Sequence, residues 1–147
     1  MTIDSLPRPV RFLLVEDDED HAELIRLALE ENRVANDLHH VANGEDALRY
    51  LKQEPPFDDA DRPDIVLLDL KLPRMDGHEV LRAVKRDASL RSIPIVVLTT
   101  SSAETDRVQA YEEYVNSYLV KPVDFERFHD MIRELGLYWT VWNQPPR

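Results

Sequence analysis

The feature that most constrains this chain is a series of short apolar runs, each of which ends at a polar residue. Phe12–Val15, Ile65–Leu68 and Ile95–Leu98 have the length and composition of strands buried on both faces. Segments with the period of an α-helix alternate with these runs. Such alternation is typical of repeated βα units, whose strands lie parallel in one sheet. The pattern therefore predicts an α/β fold built on a parallel sheet.

Five strands and five helices account for the chain as far as Gly136, which we interpret as the C-cap of the last helix. The predicted strands are Arg11–Val15, Leu38–Val41, Asp64–Leu68, Ile95–Leu98 and Tyr118–Val120. The helices are predicted to begin near Asp20, after Gly44, after Asp76 as N-cap, after Ser101 and at Asp124.

The fourth and fifth helices are predicted from weaker signals. Ser101 with Glu104 three residues later has the spacing of a capping box. For the fourth helix, this start predicts an inward stripe of Val108, Tyr111 and Val115. For the fifth helix, the predicted stripe is Phe125, Phe128, Ile132 and Leu135.

Length and composition narrow the class of protein. The 147 residues suit one domain, which we place at residues 10–136 between an N-terminal tail (1–9) and an apolar arm (137–147), with no output domain. The absence of cysteine excludes disulfides and zinc–thiolate sites. A net charge of −11 argues against binding to nucleic acid or to anionic lipid, because like charges repel. Because we find neither a secretory signal nor an apolar run of about 18 residues, we expect a cytoplasmic protein with no membrane segment.

The polar residues that follow the strands predict a cation site. Glu16 and Asp17 follow the first strand and Asp69 follows the third, so the three carboxylates should meet at the carboxyl edge of a parallel sheet. Two unit charges about 4 Å apart repel by about 4 kcal/mol at an effective dielectric constant of 20, so the cluster needs protons or a cation. Oxygen ligands favour a hard ion, Mg2+ or Mn2+.

The same edge predicts a site for a phosphoryl group. Asp69 is the candidate nucleophile, because a carboxylate can carry a phosphoryl group as an acyl phosphate. Lys121 would bring a positive charge to the phosphoryl oxygens and Thr99 a hydroxyl. The backbone carbonyl of Lys71 could complete the shell of the ion. The five histidines are scattered, and we interpret them as surface or packing residues.

These motifs resemble the receiver domain of two-component response regulators. The resemblance covers nearly all of residues 10–135, and it rests on the segments Leu14–Asp17, Leu67–Gly77, Val97–Thr99 and Tyr118–Pro122. It implies a doubly wound, flavodoxin-like sheet of order 2-1-3-4-5 with helices on both faces.

The resemblance also implies the role of each site residue. Asp69 would be the phosphoacceptor and Lys121 its phosphate-contacting lysine, followed by a cis bond to Pro122. Asp17 would bind Mg2+ directly, and Glu16 would help to hold the ion through water. Thr99 and Tyr118 would be the switch hydroxyl and the switch aromatic.

Three further features resemble the single-domain regulators that partner phytochrome-type histidine kinases. They are the residues 115–118 before the last strand, the proline-rich loop after the second helix, and the arm that contains both tryptophans. This resemblance implies a histidine kinase as partner, namely a bacterial phytochrome. It also implies a signalling protein that phosphorylates and dephosphorylates only itself, and not a metabolic enzyme.

We expect the phosphoryl group to draw Thr99 toward it and Tyr118 to turn inward behind it. The surface formed by the fourth helix, fifth strand and fifth helix would then change. Because tryptophans favour burial and interfaces, the arm should either fold back on its own domain or pack against a second copy, and we expect a homodimer through this surface and the arm. The predicted interface residues are Tyr111, Val115, Tyr138, Trp139 and Trp142.

Three other functions remain open on the sequence alone. A Mg2+-dependent phosphohydrolase with an aspartate nucleophile usually has a second carboxylate two residues later, where this chain has Lys71. A flavin or nucleotide carrier would need a phosphate-binding glycine loop, and the three glycines form none. A pseudo-receiver that serves only as a scaffold would not need the complete set of acids, threonine and lysine, whereas a phosphate sink that drains a relay would use it.

Overall fold

The computed structural model describes residues 9–31, 36–100, 103–113, 115–122 and 124–137. Five parallel strands form one sheet in the order β2-β1-β3-β4-β5. This confirms the predicted fold class. The strands are β1 (Val10–Val15), β2 (Asn36–Val41), β3 (Ile65–Leu68), β4 (Ile95–Thr99) and β5 (Ser117–Val120). The helices are α1 (Glu19–Glu30), α2 (Gly44–Leu51), α3 (Gly77–Arg86), α4 (Glu104–Glu112) and α5 (Phe125–Leu137).

The core lies on both faces of the sheet because neighbouring residues of a strand point to opposite faces. On one face, Leu13 and Val66 belong to a cluster with buried residues of α2, α3 and α4. On the other face, Phe12 and Ile65 belong to a cluster with buried residues of α1 and α5. The central strands therefore had to be apolar at every position, which is why their sequence shows continuous runs.

Side-chain caps fix where the first three helices begin. Asp18, Asn43 and Asp76 occupy the N-caps of α1, α2 and α3, and each accepts hydrogen bonds from backbone N–H groups of the first turn. The N-cap predicted at Asp76 is thus confirmed. Each of these N-caps lies in the connection between a strand and the next helix, at the carboxyl edge of the sheet.

Two glycines allow α2 and α3 to approach the loop after β3. A Cβ atom on Gly77 would lie 2.5 Å from the carbonyl oxygen of Asp69, and one on Gly44 would lie 2.1 Å from that of Met75. Both distances are too short for a side chain of any kind. Glycine at positions 44 and 77 therefore allows the N-termini of α2 and α3 to pack against the loop that follows β3.

The prediction for α4 is wrong in two respects. The N-cap is Ala103, which makes no side-chain cap hydrogen bond, so α4 does not begin with a capping box at Ser101. Val108 and Tyr111 are 49% and 52% exposed, whereas Ala110 is buried. The physical reason is that α4 ends at Glu112 and presents a small residue to the core, so the apolar period extrapolated toward Val115 does not describe it.

Three smaller predictions also fail. Gly136 lies within α5 and is not its C-cap, because the helix continues to Leu137. Phe125 at the start of α5 is 68% exposed, whereas Phe128 and Ile132 of the same predicted stripe are buried. Among the described residues, the cis peptide bond is Pro55–Pro56, and Lys121–Pro122 is not cis.

Within the described segments, no helix has the length and apolar character needed to cross a membrane.

Candidate functional site at the carboxyl edge of the sheet

The sheet itself places the predicted site residues. The backbone N–H of Asp69 donates to the carbonyl oxygen of Val15 at 3.0 Å, one residue beyond the end of β3. Lys121 continues the pairing of β5 in the same way, through a bond of 2.7 Å from its N–H to the carbonyl oxygen of Thr99. The strand ladder thus extends to the residues that carry the polar side chains. Their positions follow from strand register and not from flexible loops.

Asp69 lies at the centre of the site and is buried. Its Oδ1 accepts hydrogen bonds from Thr99 Oγ1 at 2.9 Å and from the backbone N–H of Lys71 at 3.1 Å. Its Oδ2 lies 3.0 Å from Lys121 Nζ. Burial alone would raise the pKa of Asp69, but the Lys121 charge together with these hydrogen bonds outweighs it and lowers the pKa. Asp69 is therefore ionised near neutral pH, as a nucleophile must be.

Lys121 connects the two buried acids. Its side chain is 2% exposed, and its ammonium group contacts both Glu16 Oε1 and Asp69 Oδ2. A third contact joins Lys121 Nζ to His21 Nδ1 at 3.0 Å. Lys121 thus lies beside the predicted phosphoacceptor, and its contact with phosphoryl oxygens stays a prediction. The contact with His21 was missed, because we interpreted the histidines as surface or packing residues.

Glu16 is a buried carboxylate whose ionised form is disfavoured by its surroundings. Burial, with the nearby Asp69 charge, raises the pKa of Glu16 to about 7, against the opposing effect of Lys121. Its Oε2 accepts a hydrogen bond of 3.2 Å from the backbone N–H of Asp18. The side chain is thus held in place and yet retains a proton more readily than an ordinary glutamate.

Glu16, Asp17 and Asp69 form the acidic cluster predicted from the sequence. One carboxylate oxygen from each lies within 4.8 Å of the others. Asp17 is exposed at the rim and the other two are buried, so the cluster opens to solvent on one side. Three carboxylates with oxygen donors only suit a hard divalent cation, and Lys121 contacts two of them, Glu16 and Asp69. The residues present therefore fit Mg2+ or Mn2+.

The switch residues predicted from the sequence lie on neighbouring strands. Thr99 ends β4 and contacts Asp69, whereas Tyr118 on β5 pairs in register with Val97. Tyr118 is buried, and the Arg107 guanidinium lies 5.6 Å from the centre of its ring. Thr99 and Tyr118 thus lie on neighbouring strands beside the site, and their role as a switch stays a prediction.

A polar network that the sequence did not reveal joins the loop after β3 to α4. His78, buried at the start of α3, lies 3.2 Å from Asp106 Oδ1 and 3.3 Å from Glu113 Oε2. Asp106 also lies 3.5 Å from Lys71 Nζ, and Glu113 pairs with Arg82 at 3.0 Å. Because the N–H of Lys71 bonds Asp69, a continuous series of contacts runs from the phosphoacceptor candidate to α4.

The predicted interface residues are divided by the structure. Tyr111 is exposed on α4, near the exposed Val108, and is available for contact. Val115 is 7% exposed and packs in the core, so we withdraw it from the interface. Tyr138, Trp139 and Trp142 lie outside the described residues.

Comparison with known proteins agrees with this geometry. The model of the response regulator receiver domain family matches residues 12–133. FilR2, a probable methanogenesis regulatory protein of Methanothrix harundinacea, is 44% identical over 138 residues, covering 94% of this chain and 88% of its own length. The response regulator Rcp1 of Synechocystis sp. is 36% identical over 131 residues, covering 89% of each chain.

Two solved structures share the fold over their full length. The crystal structure of the Mn2+-bound form of Rcp1 superposes with a TM-score of 0.92 at 34% identity, covering 95% of this chain and 100% of the other. The phosphorylated cyanobacterial phytochrome response regulator RcpA superposes equally well, with a TM-score of 0.92 at 36% identity and the same coverage.

Proposed function

This chain belongs to the response regulator receiver domain family, and we propose that Asp69 accepts a phosphoryl group from a histidine kinase in a Mg2+-dependent reaction. One observation carries the proposal. The Asp69 carboxylate is ionised and buried, and it is held by Thr99 and Lys121 beside two further acids. Such a carboxylate is a fixed nucleophile with a positive charge and a hydroxyl already directed at it.

The reaction transfers a phosphoryl group between two protein side chains. A carboxylate oxygen of Asp69 attacks the phosphorus of a phosphohistidine, the P–N bond breaks, and its electron pair returns to the imidazole, which takes up a proton. The product is an acyl phosphate, which water later hydrolyses. Lys121 stabilises the negative charge on the phosphoryl oxygens, and Thr99 can donate a hydrogen bond to one of them.

The residues of this chain that would hold the cation are Asp17 directly, Asp69, and Glu16 through water, with the backbone carbonyl of Lys71 as a further ligand. The oxygen-only donor set and the closeness of the three carboxylates support this assignment. The existence of a Mn2+-bound form of Rcp1 supports it as well. When bound, Mg2+ supplies charge neutralisation to the phosphoryl group.

We further propose that the donor is a phytochrome-type histidine kinase. The support comes from the relatives, since RcpA is described as a phytochrome response regulator and shares 36% of its residues over 95% of this chain. A second phytochrome-linked relative, the bacteriophytochrome response regulator RtBRR, is 45% identical and superposes with a TM-score of 0.74. Transfer from such a kinase would place this chain in light signalling.

The output surface we propose consists of α4, β5 and α5, which would also form a homodimer with the arm that carries Tyr138, Trp139 and Trp142. The exposed apolar side chains Val108 and Tyr111 on α4 and Phe125 on α5 support this surface. Sedimentation of the wild type against a Tyr111→Glu variant tests the dimer. A wild-type monomer at high micromolar concentration, with and without an acyl-phosphate mimic, would contradict it.

Intact mass spectrometry after incubation with acetyl phosphate and Mg2+ tests the phosphoacceptor. We expect the wild type to gain one phosphoryl group and the Asp69→Asn variant to gain none. Asp64→Asn is a matched control, because Asp64 is equally buried but lies at the opposite end of β3, where it accepts a hydrogen bond from the N–H of Arg11. Equal labelling of Asp69→Asn and wild type would refute the proposal.

A further inference from the structure

We propose that His21 is a positioning residue for phosphoryl transfer, which acts by orienting the ammonium group of Lys121. The inference rests on the proposed function, because it assigns a residue to the same site. His21 lies in the first turn of α1, four residues after Asp17, and its Nδ1 is 3.0 Å from Lys121 Nζ. The contact links two residues that are 100 positions apart in the chain.

The argument begins with the hydrogen bonds of a buried ammonium group. An ammonium group has three hydrogens to donate, and burial makes an unused one costly. Lys121 is almost fully buried, and within the described residues its ammonium group contacts Glu16, Asp69 and His21. The two carboxylates and the imidazole thus match the three hydrogens.

The nitrogen of His21 that faces the lysine must act as an acceptor. An ammonium group can only donate, so Nδ1 carries no hydrogen and the ring hydrogen is on Nε2. Nδ1 is also 3.7 Å from Glu16 Oε1 and 3.7 Å from Asp18 Oδ2, both beyond hydrogen-bond distance. Lys121 is therefore the partner that this nitrogen serves.

The position of His21 is fixed from two sides. Its backbone N–H donates to Asp18 Oδ1 at 3.1 Å, as part of the N-cap of α1. Its ring lies on Phe128 of α5, with 5.6 Å between ring centres. A held imidazole presents its acceptor from one direction only. It thereby keeps the ammonium group of Lys121 directed at Asp69, where the transferring oxygens gather negative charge.

Two substitutions separate the acceptor from the ring. His21→Asn keeps an acceptor at the position of Nδ1 and removes the ring, whereas His21→Phe keeps the ring against Phe128 and removes the acceptor. We expect His21→Phe to lower the rate constant of phosphorylation at saturating acetyl phosphate and Mg2+ by about tenfold, the effect of losing a hydrogen bond to a charged group. The concentration of acetyl phosphate at half-maximal rate should not change. His21→Asn should remain within about twofold of the wild type.

A residue that served only for packing would give the reverse order, with His21→Asn the slower variant. That order, equal slowing of both variants, or a wild-type rate for His21→Phe would each overturn the proposal. If the wild type is labelled and Asp69→Asn is not, the proposed function stands in all three cases. If Asp69→Asn is labelled like the wild type, the proposed function itself fails.

A measurement without any phosphodonor tests the contact directly. In 15N-resolved spectra of the side-chain ammonium group, Lys121 should exchange its hydrogens with water slowly in the wild type and in His21→Asn. Exchange should be faster in His21→Phe, because one hydrogen loses its acceptor. Equal exchange in all three proteins would overturn the role of His21, whatever the outcome of the phosphorylation assay.

Discussion

Thr99 Oγ1 lies 2.9 Å from Asp69 Oδ1 and donates a hydrogen bond to it. Thr99 is the last residue of β4, and Asp69 directly follows β3. Because β3 and β4 are paired in the sheet, the bond joins the ends of two neighbouring strands. This bond and the buried Tyr118 occur together in the structure. The contribution of the Thr99 hydroxyl to this site can be tested by changing the hydroxyl alone.

Thr99→Val removes the hydroxyl and keeps the shape of the side chain. We expect phosphorylation by acetyl phosphate to slow by about tenfold, since a bond to a charged acceptor is lost. Thr99→Ser keeps the hydroxyl and should remain close to the wild type. Mass spectrometry over time measures both rates. A rate for Thr99→Val equal to that of Thr99→Ser would show that the hydroxyl takes no part.

Lys121→Met tests the charge that separates Glu16 from Asp69. Removing one partner of a buried ion pair typically costs about 3–5 kcal/mol, because the remaining charges lose their compensation. We expect a lower free energy of unfolding in metal-free urea titrations. The loss should be smaller than the full cost of an unpaired charge, because Glu16 can take up a proton. Added Mg2+ should stabilise the variant more than it stabilises the wild type.

The comparison variant for Lys121→Met is Lys85→Met, which removes a lysine from α3. Its Nζ donates a hydrogen bond of 3.3 Å to the backbone carbonyl oxygen of Arg91. Its loss should change stability much less, and the response to Mg2+ should match the wild type. If both variants lose the same stability and respond alike to Mg2+, the ammonium group of Lys121 does not balance the acids.

The sequence was sufficient to predict the central strands and the residues that end them. β1, β3 and β4 are buried on both faces, so each is a continuous apolar run, and the polar residue after each run had to lie at the carboxyl edge. The positions of Asp69, Thr99 and Lys121 follow from this rule alone.

The orientation of α4 and the role of His21 could not be predicted in the same way. Among the described side chains of α4, the buried one is the small Ala110, and polar contacts from His78 to Asp106 and Glu113 hold the helix to α3. Such contacts leave no apolar period in the sequence. The position of His21 in the first turn after the acidic pair was the one available signal.

The raised pKa of Glu16 predicts how metal-free stability depends on pH. Burial raises this pKa to about 7, above the value of an exposed glutamate, so the folded protein binds the proton more tightly than the unfolded chain. The stabilisation is complete below the unfolded value and is lost as pH rises through about 7. The melting temperature in EDTA should therefore fall between about pH 5 and pH 8.

The control for this pH dependence is Glu16→Gln, which cannot titrate and should give a flatter profile. Mg2+ should raise the melting temperature of the wild type more at the upper end of this range, since the cation binds the ionised cluster. Asp69 contributes in the opposite sense, because its lowered pKa adds stability that is lost only at acidic pH. An unchanged slope in Glu16→Gln would assign the titration to another group.

His78→Ala tests the network between the loop after β3 and α4. The two nitrogens of His78 face Asp106 and Glu113, so its removal leaves both carboxylates without that partner. We expect a loss of about 1–3 kcal/mol in the free energy of unfolding and faster hydrogen exchange along α4. His129→Ala is the matched control, because His129 pairs with the half-exposed Glu31 and should cost less than about 0.5 kcal/mol. Exchange in α4 that is unaffected by His78→Ala would show that the network does not hold this helix.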